Sequence, residues 1–235
     1  GIDYFSAQVD VNLNMELKGR TTGDDPDDFT QTVYGNGNVK HSIKDESHGT
    51  HVAGIIAAER GNGLGVDGVA NNVQIMAVRA VPNGDEYDKD VALAIRYAAD
   101  NGAKVMNTSF GKAYSPHSDK VREAIAYAAS KDVLIVNAAG NDALDLDKNK
   151  SYPNDAVDNG AEVADNFVTV GALAPSNGED VVASFSNYGK INVDVFAPGA
   201  KIYSTTPENE YDTKGGTSMA APAVAGVAAL IRSYF

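Results

Sequence analysis

The sequence predicts an α/β fold, a mostly parallel sheet with helices on both faces. Three observations carry that expectation. After residue 47, short apolar stretches alternate with segments of helical periodicity. Those stretches are nearly continuous in apolar residues, as strands covered on both faces are. The chain also has 235 residues and no cysteine, enough to bury a sizeable core without disulfides.

The first 47 residues are polar, with an acidic cluster "GDDPDD" (23–28) and a Gly/Asn turn "YGNGN" (34–38). They predict loop, and the acids read as a solvated face. "VQIMAVR" (73–79) predicts a buried strand. "DKDVALAIRYAADNGA" (88–103) predicts a helix with Val91, Ile95 and Ala98 inward, closed by Gly102. "KVMNTSF" (104–110) is the next strand. "SDKVREAIAYAASKD" (118–132) is a second amphipathic helix, with Val121, Ile125 and Ala128 inward. Strands come next at 133–140 and 167–172, then shorter hairpin-like pieces at 193–199, 201–206 and 210–214, and a last helix at 218–234. No repeat or low-complexity linker interrupts this order. One domain is expected overall, with 1–46 as a polar N-terminal segment or insertion before a unit spanning 47–235. In such sheets the site lies beyond the carboxyl ends of the strands.

Composition narrows the chemistry. There are 32 acids against 19 bases, a formal charge of −13, which disfavours a nucleic acid as ligand. Thiol nucleophiles are excluded. The longest apolar run, 219–231, is broken by Pro222 and falls short of the roughly 20 residues that span a bilayer. The chain opens on Gly1 rather than Met, so removal of a targeting segment before that point is expected.

Only four histidines are present, and two of them, His48 and His51, share "SHGTHVAGIIAA" (47–58). A zinc helix spaces two histidines four apart beside a glutamate; here the spacing is three and the neighbour is Gly49, so no metal is assigned. Two readings remain on these residues alone: a buried structural histidine beside a surface one, or a general base. Ser47 is placed to cap the helix, and an imidazole in a first turn sees the positive end of the helix dipole. That favours its neutral, basic form. A nucleophile is offered by "KGGTSMAAPAVAGVAALI" (214–231), where Ser218 opens an apolar and hence buried helix after Gly215 and Gly216, with Thr217 as a possible cap. Free amides there suit a developing oxyanion. The plainer reading is a serine capping a core helix. "GTSMA" is not the Gly-x-Ser-x-Gly elbow of α/β-hydrolases, which also place Ser before His.

"HGTHVAG" (48–54) and "GTSMAAPAVAG" (216–226) resemble the His and Ser signatures of the subtilisin-like serine proteases. "VMNTSFG" (105–111), "NAAGND" (137–142), "FSNYG" (185–189) and "VFAPG" (195–199) resemble further segments of that family, in order. The resemblance covers about four-fifths of the chain and implies a three-layer fold with residues 47–235 as the peptidase domain. It implies His48 as general base, Ser218 as nucleophile and Asn141 as side-chain donor to the oxyanion, with the Ser218 N–H as second donor. Ser109, Phe110 and Gly111 would line the peptide groove as an edge strand. No cofactor is required; calcium enters only as a structural ion, and neither "GDDPDD" nor "DALDLDKN" (142–149) has a recognised ligand spacing. An extracellular or envelope location and a peptide or protein substrate are further implications.

One part of the pattern is not found. The family's catalytic Asp ends the first strand, ahead of the histidine, in an apolar-run–Asp–[Ser/Thr]–Gly–[Ile/Val] pattern. "GID" (1–3) reads as the tail of that pattern, with "LKGR" (17–20) fitting its continuation, or else residues 1–40 are an insertion. Asp3, Asp10 and Asp45 are candidates by elimination only. The first strand is thus expected to be absent from this chain, with a separate upstream segment as partner, and this polypeptide alone is expected to be weakly active or inactive. The rival expectation is a catalytically inactive fragment or pseudoprotease that binds peptides. Asp85 and Glu86, in "NGDEYD" (83–88), are expected beside the groove, where they would favour basic side chains.

Overall fold

Near-continuous apolar strands pair in parallel when helices cover both of their faces. The computed structural model, which describes residues 20–40, 46–81, 84 and 86–235, shows that arrangement. Helix α1 (His48–Ala57) is followed by α2 (Asp88–Asp100), β1 (Val105–Thr108), α3 (Ser118–Ser130), β2 (Leu134–Ala138) and β3 (Phe167–Leu173). Then come β4 (Val195–Pro198), a hairpin of β5 (Ile202–Thr206) and β6 (Glu210–Lys214), and α4 (Thr217–Tyr234). Strands β1 to β4 form one parallel sheet in that order, and β5 pairs antiparallel with β6.

The period of two along β2 divides the core. Ile135 points to one face, among Val91 and Ile95 of α2 and Val121 and Ile125 of α3. Val136 and Ala138 point to the other, against Ala220, Ala221 and Ala225 of α4. Fully burying an aliphatic side chain such as Ile125 or Ile135, neither of which is exposed at all, contributes about 1.5–3 kcal/mol. Small residues let α4 lie close to the sheet, and α1 packs behind it through Val52 and Ile55 against Met219. His51 is buried; its Nε2 lies 3.1 Å from the Asp212 carbonyl and its own carbonyl accepts from Ser204 Oγ, tying α1 to the β5–β6 hairpin.

Four expectations are corrected. Residues 73–79 form no strand: Ile75, Met76 and Val78 are exposed, and the segment is anchored instead at its end, where Arg79 grips both Glu46 carboxylate oxygens at 3.0 Å. Apolar periodicity marks what a strand would bury, but a strand also needs a neighbour. Among the described residues β1 has none on its outer side. The 193–199 piece is not hairpin-like; it supplies β4 of the parallel sheet, because Asp194 holds the Thr169 N–H on its carboxylate and so starts the register. Ser47 precedes α1 in helical geometry and its side chain makes no capping bond.

The acidic cluster, finally, is not simply a solvated face. The Asp24 side chain is buried, with its Oδ2 2.7 Å from Arg20 and 2.5 Å from Lys89, and Lys89 is itself fully buried at the start of α2. Arg20 also pairs with Asp90, which accepts from Tyr34. Expectations resting on Asp3, Asp10, Asp45, Asp85 and residues 17–19 lie outside the described residues. No helix among those described is long and apolar enough to cross a membrane.

Candidate active site

The site is built at the carboxyl ends of β1 and β2, where the first turn of α4 meets them. Gly216 takes φ +150° to turn the chain into α4, and an added Cβ would come within 3.4 Å of the Asn141 carboxamide. Thr217 therefore stands first in the helix and Ser218 second, in the turn whose N–H groups lack helical acceptors. Gly140, at φ +105°, turns the chain out of β2; a Cβ there would press on Asn187. Asn187 braces the loop it opens, accepting from the N–H groups of Asp142 and Leu144 and donating to the Ala139 carbonyl.

Asn141 is exposed and oriented by Thr217. Its Oδ1 accepts from the Thr217 N–H at 2.8 Å and from Thr217 Oγ1 at 3.1 Å. The buried Thr217 hydroxyl in turn accepts from the Gly140 N–H at 3.0 Å. Both bonds fall on the carboxamide oxygen and neither on its NH₂.

Pro222 sets the other side of the site. It has no N–H to give to the carbonyl four residues back, which belongs to Ser218. Ser109 Oγ supplies that bond at 2.8 Å, and Asn107 Nδ2 holds Ser109 Oγ at 2.9 Å. The end of β1 is thereby fixed to the start of α4. Ser218 Oγ donates to the Ser109 carbonyl at 3.2 Å. Phe110 turns the other way and packs on the α2–α3 core. Gly111 carries its N–H on Glu86 Oε1 at 3.0 Å, and Lys112 pairs with Tyr152 by two backbone bonds of 2.9 Å.

His48 opens α1 and is exposed, while Val52 and Ile55 of the same helix pack on Met219, the neighbour of Ser218. Its ring is not joined to Ser218 by a hydrogen bond among the described residues. Desolvation by the surrounding protein lowers its pKa from the usual imidazole value, with the Lys214 ammonium acting in the same direction. Ser218, Asn141, Thr217 and Ser109 thus form one connected cluster, and His48 stands at the start of α1, the helix that packs on α4. The sequence motifs do not single out Asn107 or Asn187, and they give Thr217 as a cap that lies near the oxyanion donors; the "FSNYG" stretch alone signals Asn187.

In the two acidic stretches, Asp24 and Asp147 have protein partners on at least one oxygen. Asp147 accepts from the N–H groups of Lys190, Ile191 and Asn192, and the Asp24 oxygen facing Lys89 is shared with Arg20. A polar cavity of about 370 Å³ lies beside β2, lined in part by Asn137, Ala139, Asn154, Asp155, Thr169 and Asp194.

Parallel sheet, His-bearing helix and Ser-bearing helix together define an α/β protein of the subtilisin-like class. The chain belongs to the subtilase family, which it matches over residues 2–235. It is 45% identical over 235 residues to the thermophilic serine proteinase of Bacillus sp. (strain AK1), covering 99% of this chain and 50% of that protein. It is 41% identical to thermitase of Thermoactinomyces vulgaris over 187 residues, 79% of this chain and 61% of that one. The cell wall-associated protease of Bacillus subtilis (strain 168) is 38% identical over 97% of this chain and 23% of its own length. Among solved structures, the S41 psychrophilic protease superposes with a TM-score of 0.72 at 31% identity, covering 98% of this chain and 84% of that one. This chain therefore spans about half the length of the thermophilic proteinase it resembles.

Proposed function

We propose that this chain carries the nucleophile, base and oxyanion donors of a serine endopeptidase. Ser218 Oγ attacks the scissile carbonyl carbon while its proton passes to the His48 imidazole. The oxyanion so formed accepts from Asn141 Nδ2 and from the Ser218 N–H. Collapse of the intermediate transfers the proton from the imidazolium to the departing amine and leaves an acyl-enzyme. Water, deprotonated by His48, then attacks the ester and releases the acid. The observation that carries this reading is the Thr217 clamp on Asn141 Oδ1, which leaves the amide hydrogens free beside the nucleophile's helix turn.

In the same reading the Ser109–Gly111 edge pairs with an extended peptide, and the 370 Å³ cavity offers room for the side chain of its acyl residue. A catalytic carboxylate is still needed to orient His48. We assign it to a strand laid along the outer edge of β1, which is unpaired among the described residues. The cell wall-associated relative supports an envelope or extracellular location.

A peptidyl phosphonate tests the proposal: mass spectrometry of the full-length protein should find it on Ser218, and labelling should vanish in His48→Ala. Label on another residue would refute the assignment. The alternative reading, a peptide-binding chain without turnover, is favoured by one observation: the Ser218 hydroxyl donates to the Ser109 carbonyl and not to His48.

A further inference from the structure

The segment Ser109–Lys112 has two sides. Lys112 faces Tyr152, with which it exchanges both backbone hydrogen bonds. Backbone groups of an extended chain alternate in direction with a period of two. Ser109 and Gly111 therefore face away from Tyr152, along the open side where Ser218 stands. An antiparallel peptide whose acyl residue lies against Ser109 places its third residue, counted back from the scissile bond, against Gly111.

Both positions are already filled by the chain itself. The Ser109 carbonyl accepts from Ser218 Oγ at 3.2 Å, and the Gly111 N–H donates to Glu86 Oε1 at 3.0 Å. A carboxylate oxygen on that N–H stands where a peptide carbonyl would stand. The surroundings hold Glu86 in place: its main-chain carbonyl accepts from Lys112 Nζ, which also pairs with the Asp88 carboxylate at 2.8 Å. Asp88 is buried and kept ionised by Lys112, by the His117 N–H and by Ser115 Oγ.

We propose that Glu86 is both a plug on the peptide groove and the determinant of its preference at the third residue. A peptide entering the groove takes the Gly111 N–H from Glu86. The displaced carboxylate then pairs with a lysine or arginine on that third residue and repels a glutamate there. This rests on the reading of Ser109–Gly111 as the substrate edge, and the test separates the two.

Binding is measured on the full-length protein with N-acetylated peptides whose scissile amide is replaced by a reduced bond, carrying Lys, Ala or Glu at the third residue. The Lys peptide should bind about fivefold tighter than the Glu peptide, the range of a partly exposed ion pair. Glu86→Gln keeps an oxygen on Gly111 but no charge, and should erase the Lys-to-Glu ratio. Glu86→Ala removes both, so the ratio should go and the Ala peptide should gain several-fold. A Lys peptide N-methylated at its third residue reports on strand pairing alone. If methylation abolishes binding but neither variant alters the ratio or the Ala affinity, the substrate edge stands and Glu86 has no such role. If methylation has no effect, edge and plug fall together.

Discussion

The hydroxyl of Thr217 is the smallest group on which the site depends. It receives the Gly140 N–H and reaches the Asn141 carboxamide oxygen, so one side chain joins the turn after β2 to the start of α4. Thr217→Val should lower kcat about tenfold with KM little changed, because Asn141 loses one of two bonds that aim it. Asn141→Leu should lower kcat by about 10²–10³, a figure known from a subtilisin of the same family and carried over to this chain. Steady-state kinetics on an activated peptide ester check both. The motif singled out Asn141 without the Thr217 bonds that hold it, since a threonine at a helix start reads as a cap until its buried partners are seen. His48 gives a second prediction. Desolvation and the neighbouring Lys214 ammonium disfavour its protonated form, so Lys214→Met should raise its pKa. NMR titration of the imidazole, and the acid limb of kcat/KM, should both move to higher pH in that variant.

Helix α4 carries an internal proline, and the consequence is met from another element. Pro222 orphans the Ser218 carbonyl and Ser109 Oγ satisfies it. Ser109→Ala should destabilise the protein by about 1 kcal/mol in urea unfolding, and by much less in a Pro222→Ala background, where the helix can supply its own N–H. Near-additive effects would mean that the two residues act apart. The proline's missing bond could be read from the sequence, its replacement could not, because residues 109 positions apart leave no local trace of each other. The same limit explains residues 73–79. Their apolar pattern is that of a strand, but pairing depends on a neighbour which the pattern does not specify. Helices α2 and α3 were legible because their periodicity is local.

Across the molecule, two acids of opposite character bracket its response to pH. Asp24 is held well below the usual carboxylate range, first by Arg20, with Lys89 adding to it. Its stabilisation is present above about pH 4 and lost as pH falls below that. Asp24→Asn leaves Lys89 buried without its carboxylate and should cost about 3 kcal/mol at pH 7, measured by urea unfolding. Asp155 is pushed up to about 6 by burial, with Glu162 and Asp194 adding repulsion. The folded state keeps its proton longer than the unfolded chain, so stability declines as pH rises from about 4 through 6. Asp155→Asn should therefore stabilise the protein at pH 8, by about 1 kcal/mol after solvent screening, and do nothing at pH 4. The acid-rich loops looked alike as sequence; burial, which composition does not encode, divides them.

The bond between Ser109 and the Ser218 carbonyl is also a tether, and a tether pulls from either end. Anything that seats itself along Ser109 and Gly111 loads the opening turn of the last helix. Occupancy of the groove should thus be audible in that turn as slower deuterium uptake by the amides of Met219 and Ala220, before any covalent chemistry has occurred.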